Sequence, residues 1–302
     1  MLNAACSAIA ASVILAFGST SAALGEEFSL VVLDGSPPSV SKLATGLRNV
    51  IAEDGEHQVV IMEEGGQAVP TGGIVLVTSD QLEGPTGIKP DQLDILALLA
   101  GEYHVMVVSP ESRYSVLSDV TSQLKKDPST VKWVVAKSAS ASLRQGIADI
   151  AEARGVDPLA LTMDVVSSPE ATVDASSFSS TSVAMAPLSS VIENVENHTL
   201  RALGITGAVR QKDLEIPTFN EQGLRADSKS WIAAAVSPQM DAEMRQRLAD
   251  IIGDAVATDL WREQLEKDGM HDLYTPSERL GSFVESEGAA TRKDSRAGML
   301  IE

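Results

Sequence analysis

The sequence predicts an α/β protein whose sheets are mainly parallel. Short runs of β-branched and other apolar residues alternate with amphipathic helical segments along most of the chain. That alternation is typical of parallel strands joined by crossover helices. The chain of 302 residues is long enough for two lobes of ordinary domain size. The alternation is interrupted near Gly101 and resumed near Trp231, so we expect the chain to pass between lobes at these points.

Nine strands are predicted from short apolar runs bounded by polar or turn residues. They are FSLVVL, QVVIM, GIVLVT, YHVMVV, VKWVVA, LALTMDVV, SVAMAP, LRALGIT and WIAAAV. Helical spacing is clearest after the fifth strand, where Leu143, Ile147 and Ile150 share one face. Gly155 can end that helix in the left-handed conformation.

The last third of the chain is predicted to be nearly all helical. Its first helix carries an apolar stripe formed by Met244, Leu248, Ile251 and Ala255. The segment DLWREQLEKDG predicts a second helix that ends at Gly269. The segment TPSE, residues 275–278, has the form of a capping box with proline at the first helical position, and it predicts a third helix. We expect these stripes to face the core.

The first 25 residues contain no charged side chain and include the apolar run AIAASVILAF, followed by small residues. An apolar run followed by small residues predicts a signal peptide over residues 1–25 and therefore a periplasmic protein. The run is shorter than the roughly 20 residues of a membrane-spanning helix. A frayed apolar terminus or an uncleaved anchor is the alternative. The only cysteine, Cys6, lies in this segment, so the rest of the chain has no thiol for a disulfide or metal site.

Charge and motif content exclude several classes of function. The formal net charge is −19, which disfavours nucleic-acid binding because phosphate contact needs a basic face. The four histidines are scattered, and no metal spacing, nucleophile elbow, phosphate loop or dinucleotide fingerprint is present. The sequence therefore predicts no cofactor, no metal and no catalytic residue.

The stretch EIPTFNEQGL has a local structure that can be predicted from its residues. Pro217 biases the residue before it toward an extended conformation. Thr218 can cap a short turn, and Gly223 can stop the turn in the left-handed conformation. We therefore expect a capped turn between two strands, with a structural rather than a catalytic role.

The longer stretch LRALGITGAVRQKDLEIPTFNEQGL resembles the signature of the substrate-binding proteins of tripartite tricarboxylate transporters, the Bug family. The likeness continues into the Trp-led strand that starts at Trp231 and the turn Ser237-Pro238. It covers nearly the whole chain after residue 25 and is strongest from about Ser109 onward. The upstream segment from LKKDPS to EARGVD and the later TPSERLGSFVESEGAATRK are also similar to family segments.

The resemblance implies an extracytoplasmic solute receptor with the type II, Venus-flytrap periplasmic binding protein fold. Two α/β lobes, joined by two crossing strands, would close around a small carboxylated solute. The implied division is residues 26–102 and 230–302 for lobe I and 103–229 for lobe II. The implied partners are a small-molecule solute and membrane transporter subunits, and the receptor is expected to be a monomer.

Two serine-rich junctions between a strand and a helix could form the solute site, namely DGSPPSVSKLATGL and KSASASLRQ. Helix N-termini offer free N–H groups, and serine and threonine add hydroxyls, so a carboxylate can be held without a cation. An ordinary serine N-cap is the alternative at each junction. The predicted ligand-binding residues are Ser36, Ser39, Thr78, Ser79, Ser138, Ser140 and Ser168.

The sequence departs from the family pattern in its first lobe. Asp34 stands at the end of the first strand, and its negative charge would repel a carboxylated solute. Pro37 and Pro38 replace glycines that the family pattern has here, so two backbone N–H donors are lost. The second family loop and its helix have no room, and the Tyr-x-Gly segment is replaced by VVS at residues 165–167. Three functions stay open: a transport receptor, a divergent receptor with a lost or altered ligand that is the sensor partner of a membrane protein, and a secreted enzyme.

Overall fold

A computed structural model describes residues 26–33, 36–64, 72–79, 81, 92–137, 139, 141–167, 171–172, 174, 179–207, 210, 214–226 and 229–280. The predicted signal peptide lies outside these residues. The strands are β1 (Glu26–Leu33), β2 (His57–Glu64), β3 (Gly73–Thr78), β4 (Asp94–Val108), β5 (Lys132–Ala136), β6 (Thr162–Val166), β7 (Ser182–Pro187), β8 (Arg201–Ile205), β9 (Lys229–Val236) and β10 (Met270–Pro276). The helices are α1 (Pro38–Ile51), α2 (Leu117–Lys126), α3 (Ala141–Glu152), α4 (Leu188–Glu196), α5 (Ala242–Val256) and α6 (Asp259–Lys267).

The strands form a mixed sheet in the order β2-β1-β3-β9-β4-β7-β5-β6, with β8 and β10 also pairing with β4. At one end β1, β2 and β3 are parallel, and at the other end β5, β6 and β7 are parallel. Between them β4 and β9 run antiparallel to their neighbours. All nine predicted strands are present, and the α/β fold class is confirmed. The expectation of mainly parallel sheets is wrong, because β4 and β9 pair antiparallel with every strand that they contact in the described part of the chain.

Strand β4 crosses from one part of the sheet to the other. Its first half pairs with β9 and β10, whereas its second half, from His104 onward, pairs with β7 and β8. The sequence predicts only that second half, YHVMVV, as a strand. The first half is not predicted because DILALLAG is a continuous apolar run, which periodicity does not distinguish from a buried helix.

The apolar core is divided in the same way as the sheet. Two core clusters draw their buried residues from positions 28–100 and 231–280. Two others draw theirs from positions 105–226. The fold is therefore two-lobed, with β4 and β9 as the connecting strands. The lobe boundaries given above remain a prediction.

The C-terminal region is partly helical, as predicted, but it also contains a strand. Helix α5 is capped by Asp241, whose carboxylate accepts from the Met244 N–H, and helix α6 is capped by Thr258. The predicted third helix is wrong at its start, because Thr275 and Pro276 end β10, and a single 3-10 turn follows. Strand β10 is stabilised by pairing with β4, a tertiary partner that the capping-box pattern does not reveal. The rest of that predicted helix lies outside the described residues.

The stretch EIPTFNEQGL forms the predicted capped turn. The Glu221 N–H donates to Thr218 Oγ1 (3.0 Å), and the Thr218 N–H donates to Glu221 Oε2 (2.7 Å). The Thr218 N–H and then the Arg210 guanidinium hold the pKa of the Glu221 carboxyl below its usual value. Gly223 has φ = +76°, which is the left-handed stop expected from the sequence.

This turn supports strand β8 from the side. The Phe219 N–H donates to the Ile205 carbonyl (2.8 Å), and the Phe219 ring is fully buried. A Cβ atom on Gly204 would lie 2.6 Å from that ring, so β8 needs a glycine there. The motif is therefore structural.

Candidate functional site

The carboxyl ends of β3 and β7, one parallel strand from each lobe, lie beside the crossing strands. Thr78, the last residue of β3, pairs with β9 two residues away from Ser230. Pro187, the last residue of β7, pairs with His104 of β4. Glu102 of β4 pairs in turn with Ser230 of β9. In open α/β sheets ligands bind beyond the carboxyl ends of strands, so this region is the candidate solute site.

One wall of the site is built by a hydrogen-bond network in lobe I. The Gln81 amide Nε2 donates to Ser36 Oγ (2.9 Å), and Gln81 Oε1 accepts from the Thr78 N–H (2.9 Å). Gln81 therefore brings together two residues that the sequence analysis assigned to the site. Gln81 itself was not identified from the sequence, because a single amide after a strand has no distinctive pattern.

Two other predicted residues of lobe I have buried hydroxyls without hydrogen-bond partners. Ser39 is 3% exposed and Ser79 is 4% exposed, and neither Oγ has a partner within the described part of the chain. A buried hydroxyl that lacks a partner costs about 1–3 kcal/mol. These two groups can therefore gain a hydrogen bond from a bound solute.

The crossing strands carry a polar cluster that the sequence analysis did not single out. His104 Nε2 lies 3.1 Å from Ser230 Oγ, which lies 3.0 Å from Ser142 Oγ at the start of α3. The His104 N–H donates to Thr206 Oγ1 (2.9 Å). Burial lowers the pKa of His104 from 6.5 to about 3, so the imidazole is neutral near pH 7. The sequence signal for this cluster is the presence of a polar residue within each of the apolar strands YHVMVV and SWIAAAV.

A cavity of about 210 Å³ lies between the first turns of α1 and α4. Its lining comprises Pro37, Pro38, Ser39, Lys42, Pro187, Ser189, Ser190, Glu193 and Asn194. Lys42 Nζ donates to the Ser189 carbonyl (2.9 Å) and thereby joins the two lobes. Glu102 of β4 accepts a short hydrogen bond from Ser189 Oγ. The cavity therefore borders the crossing strands.

A larger cavity of about 510 Å³ lies between α4, α6 and β10. Its walls include Leu188, Ile192, Leu265 and Met270. None of the four described residues of the predicted site lines it. We therefore do not place the solute there.

The other predicted site residues are not described by the structure. Ser138, Ser140 and Ser168 lie outside the described residues, as does Asp34. The proline pair is described: Pro37 precedes α1 and Pro38 is its first residue, so the predicted start of this helix near Ser39 is confirmed. Among the described residues there is no group of three or more potential metal ligands. In the same part of the chain, every helix is too short or too polar to cross a membrane.

Two lobes joined by crossing strands, with strand ends meeting between them, define the class of periplasmic binding proteins. The sequence matches the tripartite tricarboxylate transporter family receptor over residues 58–296, and the chain belongs to this family. No curated protein matches the sequence.

Solved structures with the same fold include three proteins of low sequence identity. A protein of R. palustris with adipate has a TM-score of 0.74 and 17% identity, covering 90% of this chain and 97% of that one. Periplasmic binding protein BugD has a TM-score of 0.71 and 14% identity, covering 90% and 98%. MatC from Rhodopseudomonas palustris with bound malate has a TM-score of 0.65 and 15% identity, covering 91% and 99%. These similarities establish the fold.

Proposed function

We propose that this chain is a periplasmic receptor that binds a small carboxylated solute between its lobes and delivers it to the membrane subunits of a tripartite tricarboxylate-type transporter. The observation that carries the proposal is the meeting of strand ends at β4 and β9, beside the unpartnered hydroxyls of Ser39 and Ser79. Family membership supports it, as do the adipate and malate in the related structures. The family consists of receptors, so we propose no catalytic role.

The solute's carboxylate oxygens accept hydrogen bonds from this chain. Ser39 and Ser79 are the donors from lobe I, and Gln81 holds Ser36 and Thr78 beside them. From lobe II we propose Ser138, Ser140 and Ser168, because they follow β5 and β6, whose carboxyl ends lie at the same edge as that of β7.

The proposed mature protein begins after a signal peptide over residues 1–25 and acts as a monomer. Lobe I comprises residues 26–102 and 230–302, and lobe II comprises residues 103–229. The separation of the core clusters on either side of β4 and β9 supports this division.

Mass spectrometry of a periplasmic fraction tests the export of the protein and the removal of residues 1–25. Recovery of intact Met1 in soluble protein would contradict both.

The proline pair at the start of α1 favours one alternative function. Pro37 and Pro38 offer no N–H groups, so α1 has fewer backbone donors for an anion than a glycine-rich start would have. The alternative is a divergent receptor with an altered ligand that acts as the sensor partner of a membrane protein. This alternative would be favoured if the protein binds none of the common carboxylates and if no genes for carrier subunits lie beside its own gene.

Calorimetry on the purified mature chain tests the proposed function directly. Succinate, malate and adipate form the panel, with a neutral diol and a diamine of similar length as controls. We expect one or more carboxylates to bind. The double variant Ser39→Ala/Ser79→Ala should bind more weakly, whereas Ser118→Ala, at an exposed position on α2, should bind like the wild type. Binding of the diamine alone would refute the carboxylate assignment.

A further inference from the structure

The cavity between α1 and α4 has the electrostatic character of an anion site. Both helices begin directly after a proline, Pro37 and Pro187, and neither has a side-chain cap on its first turn. The helix dipole is positive at this end of both helices, and the first N–H groups of α4 lack partners within the helix. Helix α1 offers fewer N–H groups, because Pro38 has none and the Val40 N–H donates to the Pro37 carbonyl. Residues from both first turns line the same cavity. Negative charge is therefore favoured there.

Ser39 gives independent evidence for a ligand. Its side chain lines this cavity and is almost fully buried, yet its hydroxyl has no partner in the described part of the chain. Buried hydroxyls in folded proteins are nearly always hydrogen-bonded. An acceptor atom in the cavity would satisfy this hydroxyl.

Lys42 provides a positive charge at the same place. Its ammonium group donates to the Ser189 carbonyl across the cavity, and two further N–H donors remain available. Lys42 makes no ion pair in the described part of the chain. Among the described residues of the lining Glu193 is the only acidic one, and it is exposed.

We propose that this cavity is the subsite for one carboxylate of the solute, with Lys42 as its counter-ion and Ser39 as a neutral donor. The proposal rests on the proposed function and makes it more specific, because it assigns a positive charge to carboxylate recognition. A volume of about 210 Å³ holds a carboxylate and a few adjoining atoms, below the roughly 300 Å³ of a typical drug-sized pocket. Since α1 and α4 belong to different lobes, the bound carboxylate also links the lobes.

The test compares carboxylate affinities of charge variants of the mature chain by calorimetry with succinate at low salt. Lys42→Met should weaken binding by about 10- to 100-fold, which corresponds to the loss of one charge-assisted hydrogen bond. Lys125→Met, at an exposed position in the last turn of α2, is the matched control and should bind like the wild type. Glu193→Gln should strengthen binding by a few-fold, because it removes a like charge from the rim.

A second measurement does not depend on the variants. Succinate should protect the Lys42 amine from reductive methylation, as mapped by mass spectrometry, while Lys125 stays reactive. Because Lys42→Met also removes the hydrogen bond to the Ser189 carbonyl, the thermal unfolding midpoint of the variant without succinate shows whether it is folded at the temperature of the binding measurement.

Each outcome separates the subsite from the proposed function. If the wild type binds succinate, malate or adipate but Lys42→Met binds it within twofold, the subsite is wrong and the receptor function stands. If Glu193→Gln weakens succinate binding, Glu193 does not act as a like charge beside the bound carboxylate, and the subsite is again wrong. If the wild type binds no carboxylate, both proposals fail together.

Discussion

The buried imidazole of His104 should make the folding stability of this protein depend on pH. Burial lowers the pKa of His104 from 6.5 to about 3, because the charged form loses its hydration inside the crossing strands. The unfolded chain therefore binds a proton below pH 6.5, whereas the folded chain does not. Stability contributed by the neutral histidine is complete above the unfolded pKa and decreases as the pH falls from 6.5 toward 3.

The magnitude follows from the two pKa values. Between pH 7 and pH 5 the unfolded state gains most of one proton at this site, while the folded state gains almost none. At 1.36 kcal/mol per pH unit, this amounts to a loss of about 2 kcal/mol in the free energy of unfolding. That is a large fraction of the 5–15 kcal/mol that is typical of folded domains.

Urea unfolding at pH 7 and pH 5 measures this effect by comparison with His104→Gln. The variant cannot gain a proton at this position, so its stability should fall by about 2 kcal/mol less than that of the wild type over this interval. Substitution also removes the contact of the imidazole with Ser230, but that loss is the same at both pH values, and the backbone hydrogen bond to Thr206 is kept. Equal pH dependence in the two proteins would show that His104 is protonated normally in the folded state and would refute the reasoning.

Two further substitutions test the turn and the lobe I wall. Gly204→Ala should destabilise the protein by about 1–3 kcal/mol in urea unfolding, because the new Cβ meets the buried Phe219 ring, and an unchanged midpoint would contradict this packing. Gln81→Ala should weaken succinate binding a few-fold in calorimetry, because Ser36 and Thr78 lose the group that holds them together. Each neutral hydrogen bond contributes about 0.5–1.5 kcal/mol. Affinity equal to the wild type would place this network outside the site.

The fold was predictable from the sequence because its signals are local. Strand runs such as GIVLVT and the amphipathic face containing Ile147 depend on neighbouring residues, and the left-handed stop at Gly223 depends on one residue type. Strand β10 was not predictable in this way, because MHDLYTP becomes a strand by pairing with β4. The proline that suggested a helix start instead ends that strand.

The candidate site was predictable only in part. Hydroxyl residues that follow strands can be found from the sequence, and two of them, Ser36 and Thr78, do lie close together. The residue that links them is Gln81, which the sequence did not indicate. Lys42 is one of two charged residues on α1 and could not be selected without knowing that α4 lies opposite it. The link between His104 and Ser230 joins positions 126 residues apart, and no spacing rule relates them. Long-range contacts of this kind require the folded chain.

Ser79 and Ser230 offer a test of whether buried polarity serves binding or folding. Ser79 Oγ is buried without a partner among the described residues, whereas Ser230 Oγ contacts both His104 and Ser142. Removal of an unpaired buried hydroxyl relieves a desolvation cost, but removal of a paired one leaves its partners unsatisfied.

The two alanine variants should therefore change stability in opposite directions. We expect Ser79→Ala to raise the free energy of unfolding by up to about 1 kcal/mol and Ser230→Ala to lower it by about 1–3 kcal/mol, as measured in urea. If Ser79 is retained for the solute, Ser79→Ala should also weaken succinate binding a few-fold in calorimetry, so that stability rises while affinity falls. A variant that is both less stable and equal in affinity would show that Ser79 supports the fold. In that case the wall of the cleft begins at Thr78, and the solute is held by the groups around α1 and the crossing strands.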